Sequence, residues 1–455
     1  MKTLQLTILA LACLAATAAE GPQVYAIKGA KIVRVSGPTI ENGTVVLRDG
    51  VIEAVGENVT PPADAWVIDG KGMTVYPGLV DALSTWGLPG ATPVAAAGGG
   101  SGRRGGGNAA AAVAAAGAAA APVVINGPED RPSNSSYSKA ADMISPSDRM
   151  IDTARDGGFT TAVTFPMTNL FAGQGAVIDL AGDRAGAMVI NPSVGQYIKF
   201  PSGGGGGGGG GGYPGSLMGV IAYIRQIYLD ADHYKVAENI YKQHPDGLPR
   251  PAYDKTLEGV IESPRTLIPA NRLVEIDRII HLSKELKLNA VIYGGEEGWR
   301  GADLLAKAKY PVLVSLKWPA RPADSNPADV DTLRVLEMRD KAPTTPAALA
   351  KAGVKFAFYS DGIATPREIM RAVKRAIDDG LSPADAIRAM TLTPAEIYGV
   401  DKTIGSIDKG KIGNIIVADG DIFAGAKVKY VFVDGMKYEP PQETPAMRRG
   451  PDSTK

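Results

Sequence analysis

The stretch "VYPGLVDALSTWG", from Val75 to Gly87, marks the change between two patterns in this chain. Before it, the segment from Ala26 to Glu57 alternates apolar and polar residues and carries "NG" and "DG" pairs, which predicts β-hairpins. After it, short β-rich runs alternate with amphipathic segments, until the hairpin pattern returns in "GSIDKGKIGNIIVADGD" and "KVKYVFVDGMKYE". We therefore expect one small β-domain made from both chain ends, with an α/β domain between them.

The middle of the chain has the pattern of a parallel barrel. Its β-rich runs are near-continuously apolar, as buried parallel strands are. Amphipathic helices are predicted between them, for example over Leu273–Lys287 and Arg367–Gly380. This alternation predicts a (β/α)8 TIM-like barrel. The predicted strands are "FTTAVTFP", "AGAMVIN", "TLIPA", "NAVIYGG", "PVLVSLKW" and "VKFAFYSDG".

Domain bounds follow from these patterns. Residues 20–76 and 401–440 are expected to form the two parts of a β-sandwich domain, and residues 77–400 the barrel. Two low-complexity stretches interrupt the barrel: an Ala/Gly-rich segment over 90–122 and an unbroken glycine run over 203–212. Glycine loses the most conformational freedom on ordering, so both are predicted to be loops, and 441–455 a disordered tail.

The first 19 residues, "MKTLQLTILALACLAATAA", have the layout of a secretory signal peptide. Lys2 precedes an apolar run that is shorter than the roughly 20 residues needed to span a bilayer. We expect an exported protein, periplasmic or secreted; a membrane anchor or a lipoprotein acylated at Cys13 are the alternatives. Cys13 is the sole cysteine, so the processed chain would have no thiol for a disulfide or a metal site.

Charge composition argues against two classes of partner. Lys+Arg and Asp+Glu number 48 each, giving no net charge. Nucleic acids and anionic membranes both favour a basic protein surface. Neither is therefore expected as a partner, whereas a small-molecule ligand remains open.

Several motifs together resemble the metal-dependent amidohydrolase superfamily, in the branch of imidazolonepropionase-like and adenine-deaminase-like proteins. The resemblance runs over nearly the whole chain after the signal peptide, and its motifs occur in the family's order. It implies hydrolysis of C–N bonds other than peptide bonds, a zinc-type ion at the mouth of the barrel, and frequent association as dimers. The motifs are "VIDGKGMTVYPGLVDA", "ARDGGFTTAVTFPMTNLFAGQGAVI", "ALAKAGVKFAFYSDG" and "LTPAEIYGVDKTIGSIDKGKIGNIIVADGD".

The resemblance breaks down at the family's metal ligands. The two histidines of the family's first motif fall on Leu83 and Thr85. Those of the later "HAHR" motif fall on Pro269 and Asn271, and the next histidine falls on Gly294. The final ligand of the family, an aspartate, persists as Asp361. We therefore expect no metal cofactor, and zinc or another divalent cation is implied by the resemblance alone.

The histidine count agrees with this reading. The whole chain has three, His233, His244 and His281, and none follows a predicted strand. A metal lowers the pKa of its bound water from about 15.7 to about 7, on the order of 12 kcal/mol towards hydroxide. A lone general base contributes roughly 3 to 5 kcal/mol. Asp361, the candidate catalytic residue, cannot replace the ion by itself.

Other polar residues are expected at the barrel mouth, where strand ends meet. Arg272 beside Glu296 and Glu297 could hold a zwitterionic ligand, and a structural ion-pair cluster is the alternative. The candidate substrate-binding residues are Arg272, Glu297 and Asn271. Lys317 could form a Schiff base if desolvated, or be a solvated loop lysine. The remaining strand-end positions are Ser84, Thr85 and Asn169.

Three functions are compatible with these observations. The first is a degenerate, non-catalytic homologue, a pseudoenzyme that forms a homodimer or a heterodimer with an intact paralogue. The second is a divergent hydrolase that uses Asp361 with a non-zinc ion or no metal. The third is a periplasmic small-molecule binder. Fold analogy cannot choose among them.

Overall fold

The computed structural model describes residues 24–89, 131–200, 214, 216–322, 325–326 and 328–441. The predicted signal peptide with Cys13, the low-complexity stretches 90–122 and 203–212, and residues 442–455 of the predicted tail lie outside the described residues. The chain divides into two compact units: residues 1–79 with 401–455, and Val80–Val400. Within the described residues no helix is both long enough and apolar enough to cross a membrane.

The two units contain different secondary structure. The strands are β1 Val24–Ile32, β2 Ile40–Arg48, β3 Val51–Gly56, β4 Trp66–Asp69, β5 Thr74–Pro77, β6 Leu79–Ser84, β7 Phe159–Thr164, β8 Phe171–Asp179, β9 Val189–Ile198, β10 Thr266–Ala270, β11 Ala290–Gly294, β12 Val312–Ser315, β13 Phe356–Tyr359, β14 Ile415–Ala418, β15 Val428–Val433 and β16 Met436–Tyr438. The α-helices are α1 Arg149–Asp156, α2 Ala185–Met188, α3 Leu217–Gln243, α4 Lys255–Ile261, α5 Leu273–Glu285, α6 Gly298–Ala308, α7 Leu333–Lys341, α8 Thr345–Lys351, α9 Pro366–Asp378, α10 Pro383–Ala389 and α11 Leu392–Tyr398.

The end unit is an eight-stranded sheet built from both chain ends. Its strand order is β16-β15-β14-β5-β1-β2-β3, with β4 paired to β1 off this path. The join between the chain ends is the antiparallel pair β14–β5. Alternation along β1 separates two apolar faces, because Tyr25 and Ile27 belong to one core cluster and Val24 and Ala26 to another. The predicted composite β-domain is confirmed.

The predicted hairpin turns are only partly right. Asp49–Gly50 joins β2 to β3 and Asp434–Gly435 joins β15 to β16, and all four residues have the positive φ angles that such turns require. The "NG" pair does not form a turn. It lies inside β2, opposite the register shift in β1 between Lys28 and Ala30, so the pairing continues past it.

The second unit contains the predicted barrel. Eight strands pair in the order β6-β7-β8-β9-β10-β11-β12-β13. β9 to β13 are parallel, whereas β8 is antiparallel to both of its neighbours. The α/β fold with a TIM-like barrel is confirmed, with one reversed strand that a uniform (β/α) alternation did not predict.

Local sequence explains most of the barrel's element bounds. α9 begins after Thr365, whose side chain accepts from the backbone N–H of Glu368, and has Pro366 at its first position. It buries Ile369, Val373 and Ala376 at helical spacing. The segment "AGAMVIN" was predicted as a strand, and this was wrong for its first half, because residues 185–188 form the short helix α2 before β9 starts at Val189.

Candidate functional site

The positions that correspond to the family's metal ligands follow the ends of four barrel strands. Leu83 and Thr85 lie at the end of β6, Asn271 follows β10, Gly294 ends β11, and Asp361 comes two residues after β13. The ends of β6 and β7 are adjacent, since Ser84 Oγ lies 3.3 Å from Thr164 Oγ1. The remaining position, Pro269, lies within β10.

The residues at these positions do not fit a zinc-type ion. Leu83 is a buried apolar side chain, and Pro269 and Gly294 offer no side-chain ligand. The three histidines are exposed: His233 and His281 lie on α3 and α5, and His244 directly follows α3. The described part of the chain holds no group of three or more His, Cys, Asp or Glu side chains arranged to bind a metal. No imidazole donor set is assembled at this mouth.

Asn271 occupies the space next to the missing histidine at position 294. Its backbone accepts from the N–H of Glu297 at 2.8 Å and its own N–H donates to Glu275 Oε2 at 3.0 Å, which fixes the residue. Its Oδ1 atom is buried without a hydrogen-bond partner among the described residues. A Cβ atom at position 294 would lie only 2.1 Å from that oxygen, and the φ of +107° there favours glycine.

Three tyrosines pack together inside the barrel near Asp361. Tyr197 of β9 stacks on Tyr293 of β11 with ring centroids 5.0 Å apart, and Tyr293 meets Tyr359 of β13 edge-on at 6.4 Å. The rings are only 6%, 8% and 5% exposed. Burial raises the pKa of Tyr197 to about 12 and also raises the pKa values of Tyr293 and Tyr359 well above the usual range of tyrosine, and the negative charge of Asp361 adds to each rise. These phenols therefore stay neutral.

The sequence analysis did not identify this cluster, which we call the tyrosine cluster (Tyr197, Tyr293 and Tyr359). A signal was present, because each tyrosine stands at the end or next to the end of a predicted or observed barrel strand. Only the register of the sheet shows that the three rings meet.

Asp361 itself is solvent-exposed and has one close polar neighbour. Ser315 Oγ, at the end of β12, donates to Asp361 Oδ2 at 2.8 Å. Glu296 lies nearby, and its pKa is raised, first by burial and then by the negative charge of Asp361. Within the described residues, neither Asp361 nor Glu296 forms an ion pair with a basic side chain, although the charge of Asp361 acts on Glu296.

The expected pairing of Arg272 with Glu296 and Glu297 does not form. Arg272 Nε donates to Glu275 Oε1 at 2.6 Å, which raises the pKa of the guanidinium, and Glu275 also caps the start of α5. Glu297 is 4% exposed and accepts from the backbone N–H of Leu273 at 2.9 Å and from Arg334 Nη2 at 3.3 Å.

The ion pairs that form here join Arg272 to Glu275 and Arg334 to Glu297. Although burial raises the pKa of Glu275, the N–H groups of Arg272 and Asn271 outweigh that effect and lower it. Asn271, Arg272 and Glu297 are thus held together by hydrogen bonds at the start of α5.

Asp81 is a buried carboxyl group that links the first and last barrel strands. It is 1% exposed, and its Oδ1 atom accepts from the backbone N–H of Ser360 at 3.0 Å. Its Oδ2 atom is buried without a hydrogen-bond partner among the described residues. Burial raises the pKa of Asp81 to about 7, against the opposing effect of its hydrogen bonds with Ser360.

The remaining predicted positions lie apart from this region or are solvated. Lys317 is exposed, so nothing desolvates its ammonium group as a Schiff-base lysine requires. Asn169 is exposed and donates to Ser135 Oγ at 3.2 Å. Ser84 is buried against Thr164.

Comparisons with known proteins agree with the fold. Residues 301–437 match the amidohydrolase family. A stretch of 63 residues is 40% identical to adenine deaminase 1 of Desulfotalea psychrophila, but covers 14% of this chain and only 10% of that protein. A Xaa-Pro dipeptidase structure with methionine bound in its active site has a TM-score of 0.50 at 14% identity, covering 91% of this chain and 100% of that one.

The structural likeness is greater to an amidohydrolase from Thermotoga maritima MSB8. Its crystal structure has a TM-score of 0.68 and 25% identity, and the match covers 91% of this chain and 100% of that chain. Residues 301–437 thus match the amidohydrolase family, and the fold over most of the chain is similar to that of the Thermotoga maritima amidohydrolase.

Proposed function

We propose that this chain is a non-catalytic member of the amidohydrolase family, which keeps the fold and has lost metal-dependent hydrolysis. The observation that carries the proposal is the relation between Asn271 and Gly294. The Asn271 Oδ1 atom lies only 2.1 Å from the position that a Cβ atom at residue 294 would take. The site therefore differs from the family's in its packing as well as in its ligands, because glycine at position 294 leaves room for the Asn271 side chain.

The energetics of hydrolysis support the same conclusion. A metal-bound water gains on the order of 12 kcal/mol towards hydroxide, whereas one general base contributes roughly 3 to 5 kcal/mol. Asp361 is exposed, and Ser315 is the one residue that hydrogen-bonds to its side chain in the described structure. Without the metal, the activation of water is therefore weaker by several kcal/mol.

The tyrosine cluster supports a structural role for the former mouth. Stacked and edge-on aromatic pairs add about 0.5 to 1.5 kcal/mol each beyond the area they bury. Tyr293 also donates to the backbone oxygen of Ile198 at 2.9 Å, which ties β11 to β9. We infer that these contacts replace part of the stabilisation that a bound ion would otherwise give to the strand ends.

We further propose that the protein acts after export as a regulatory or structural partner, either of itself or of an intact paralogue. The signal-peptide pattern of residues 1–19 supports export, and the neutral net charge supports protein partners over nucleic acid.

The test is metal stoichiometry. The full chain is purified without chelators or metal-affinity resin and analysed by elemental mass spectrometry, beside an amidohydrolase that retains its ligand histidines. We expect the histidine-bearing enzyme to carry its ions and this chain to carry far less than one ion per molecule. About one ion per chain, lost in Asp361→Asn, would overturn the proposal.

A divergent hydrolase is the second candidate, and one observation favours it. Asp361 and Glu296 are two carboxyl groups in one region, and the pKa of Glu296 is raised. Such a pair can divide acid and base roles. Hydrolysis of small amides or cyclic imides that disappears in both Asp361→Asn and Glu296→Gln, with folding intact, would support this candidate.

A further inference from the structure

We propose that the outer face of helix α3 is the interface through which two copies of this chain associate, antiparallel about Leu229. The inference rests on a helix that is apolar on two opposite sides. One side packs on the barrel, and the other is exposed to solvent in the described structure.

The apolar residues on the inner side of α3 are buried against the barrel. It buries Val220, Tyr223, Ile224, Ile227, Ala231 and Tyr234. Tyr223 donates to the backbone oxygen of Pro132 at 2.8 Å, and Tyr228 shares a 2.7 Å hydrogen bond with Thr266 of β10. At 100° per residue, the buried positions cluster on one half of the helix.

The outer side carries large apolar residues that are exposed within the described part of the chain. Met218 is 83% exposed, Leu229 58%, Val236 55% and Ile240 47%. Around the helix axis these four positions lie within about 40° of one another, directly opposite the buried side. They form a stripe along nearly the whole helix. Exposed apolar residues that share one side of a helix in this way mark interaction sites.

The stripe is complementary to itself. A twofold axis through Leu229 relates any residue to the one at the same distance on the other side of Leu229. Met218 of one copy then faces Ile240 of the other, and Ala222 faces Val236. Symmetric dimers use one patch twice in this way.

The charges within the stripe favour the antiparallel arrangement. Arg225 lies four residues before Leu229 and Asp232 three residues after it, so antiparallel packing brings the two opposite charges together twice. Parallel packing would place like charges against each other. Arg225 uses two of its five N–H donors on Glu285, at 2.7 and 2.9 Å, which fixes the guanidinium beside the stripe.

The size of the face sets the expected affinity. A helix of 27 residues is about 40 Å long and 10 to 12 Å wide. One side of it offers roughly 400 Å², about half of the 800 Å² per partner in a standard interface. We therefore expect a dimer that forms in the micromolar range.

Sedimentation velocity of the full chain from about 1 to about 100 µM tests the association. We expect a concentration-dependent dimer that Leu229→Glu abolishes, because it places two like charges together on the axis. Leu333→Glu is the matched control, since Leu333 is also exposed, at 80%, on a different helix, and it should dimerise like the original chain. A chain that stays monomeric up to about 100 µM, or a Leu229→Glu variant that still dimerises, overturns the proposal.

Disulfide crosslinking tests the register. In a Cys13→Ser chain, Leu229→Cys should crosslink to itself under mild oxidation, because disulfides need Cβ atoms about 4 Å apart. Two Val236→Cys residues would lie about 21 Å apart and should not crosslink with each other, but should crosslink with Ala222→Cys when the variants are mixed. Equal self-crosslinking of Val236→Cys and Leu229→Cys would overturn the antiparallel arrangement.

Discussion

The side chain of Asn271 occupies the space that a side chain at position 294 would enter. A Cβ at position 294 would lie 2.1 Å from Asn271 Oδ1. The two residues are neighbours in the sheet because β10 and β11 pair in parallel, with Ala270 beside Gly294. Each position where the family carries a ligand thus constrains the other.

We predict that Gly294→Ala lowers the free energy of unfolding substantially. Overpacking costs about 1 to 3 kcal/mol, and a non-glycine residue at a φ of +107° costs about 1 to 3 kcal/mol more. Urea denaturation of the original chain and of the variant measures the loss.

The double variant Asn271→Ala/Gly294→Ala separates these two effects. It should recover the overpacking part and keep the backbone part, with a coupling of about 0.5 to 3 kcal/mol in a double-mutant cycle. Strictly additive effects of the two changes would mean that the side chains do not compete for this space.

Sequence patterns predicted the barrel best where strands are apolar throughout. The predicted strand "TLIPA" coincides with β10, Thr266–Ala270. β8 was missed as a strand because "FAGQGAVID" carries two glycines, which are typical of loops. The fold requires small residues there, since a Cβ on Gly175 would lie 2.3 Å from the ring of Phe165. Local preference is overridden by a contact that only the folded chain reveals.

The site was less accessible to sequence reasoning than the fold. The absent histidines could be recognised, because motif positions are local in sequence. The pairing of Arg272 with Glu275 is also a local, three-residue contact, but the sequence analysis considered only Glu296 and Glu297 beside Arg272. Contacts such as Tyr197 with Tyr293 join residues far apart in the chain, so only the strand register places them together.

We predict a pH-dependent stability that originates at Asp81. Its folded pKa, about 7, lies above the ordinary aspartate value of 3.8, so the folded state binds the proton more tightly than the unfolded chain does. The resulting stabilisation is complete below about pH 4 and is lost as the pH rises to about 7, by up to about 4 kcal/mol. Melting temperatures between about pH 5 and pH 8 should therefore fall as the pH rises.

Asp81→Asn isolates this contribution, because asparagine imitates the protonated acid and can still accept from Ser360. The melting temperature of the variant should change less between about pH 5 and pH 8 than that of the original chain. Parallel curves for the two proteins would assign the pH dependence to other groups.

We predict that Glu297 stabilises the start of α5. Its carboxylate is buried and accepts from the backbone N–H of Leu273, so Glu297→Ala leaves that donor without its partner and should cost about 1 to 3 kcal/mol. Glu297→Gln keeps an acceptor and should cost less. Arg334→Ala is the control, because the Arg334 side chain is 63% exposed and such ion pairs contribute little. Equal losses in Glu297→Ala and Arg334→Ala would show that the ion pair, rather than the cap, carries the effect.

We predict that Asp361→Asn changes neither folding nor metal content. Asp361 has a φ of +50°, which asparagine also adopts readily, and its side chain is exposed. The amide oxygen of asparagine can still accept from Ser315, so the free energy of unfolding should stay within about 0.5 kcal/mol. Asp361→Val is the contrasting variant, because a β-branched residue is strained at this φ. This variant should be less stable than the original chain, and its metal content should be unchanged. Thermal melts report the backbone effect, and elemental analysis of the same samples reports the ion. A loss of bound metal in Asp361→Asn alone would mean that this aspartate still has the role it has in the family.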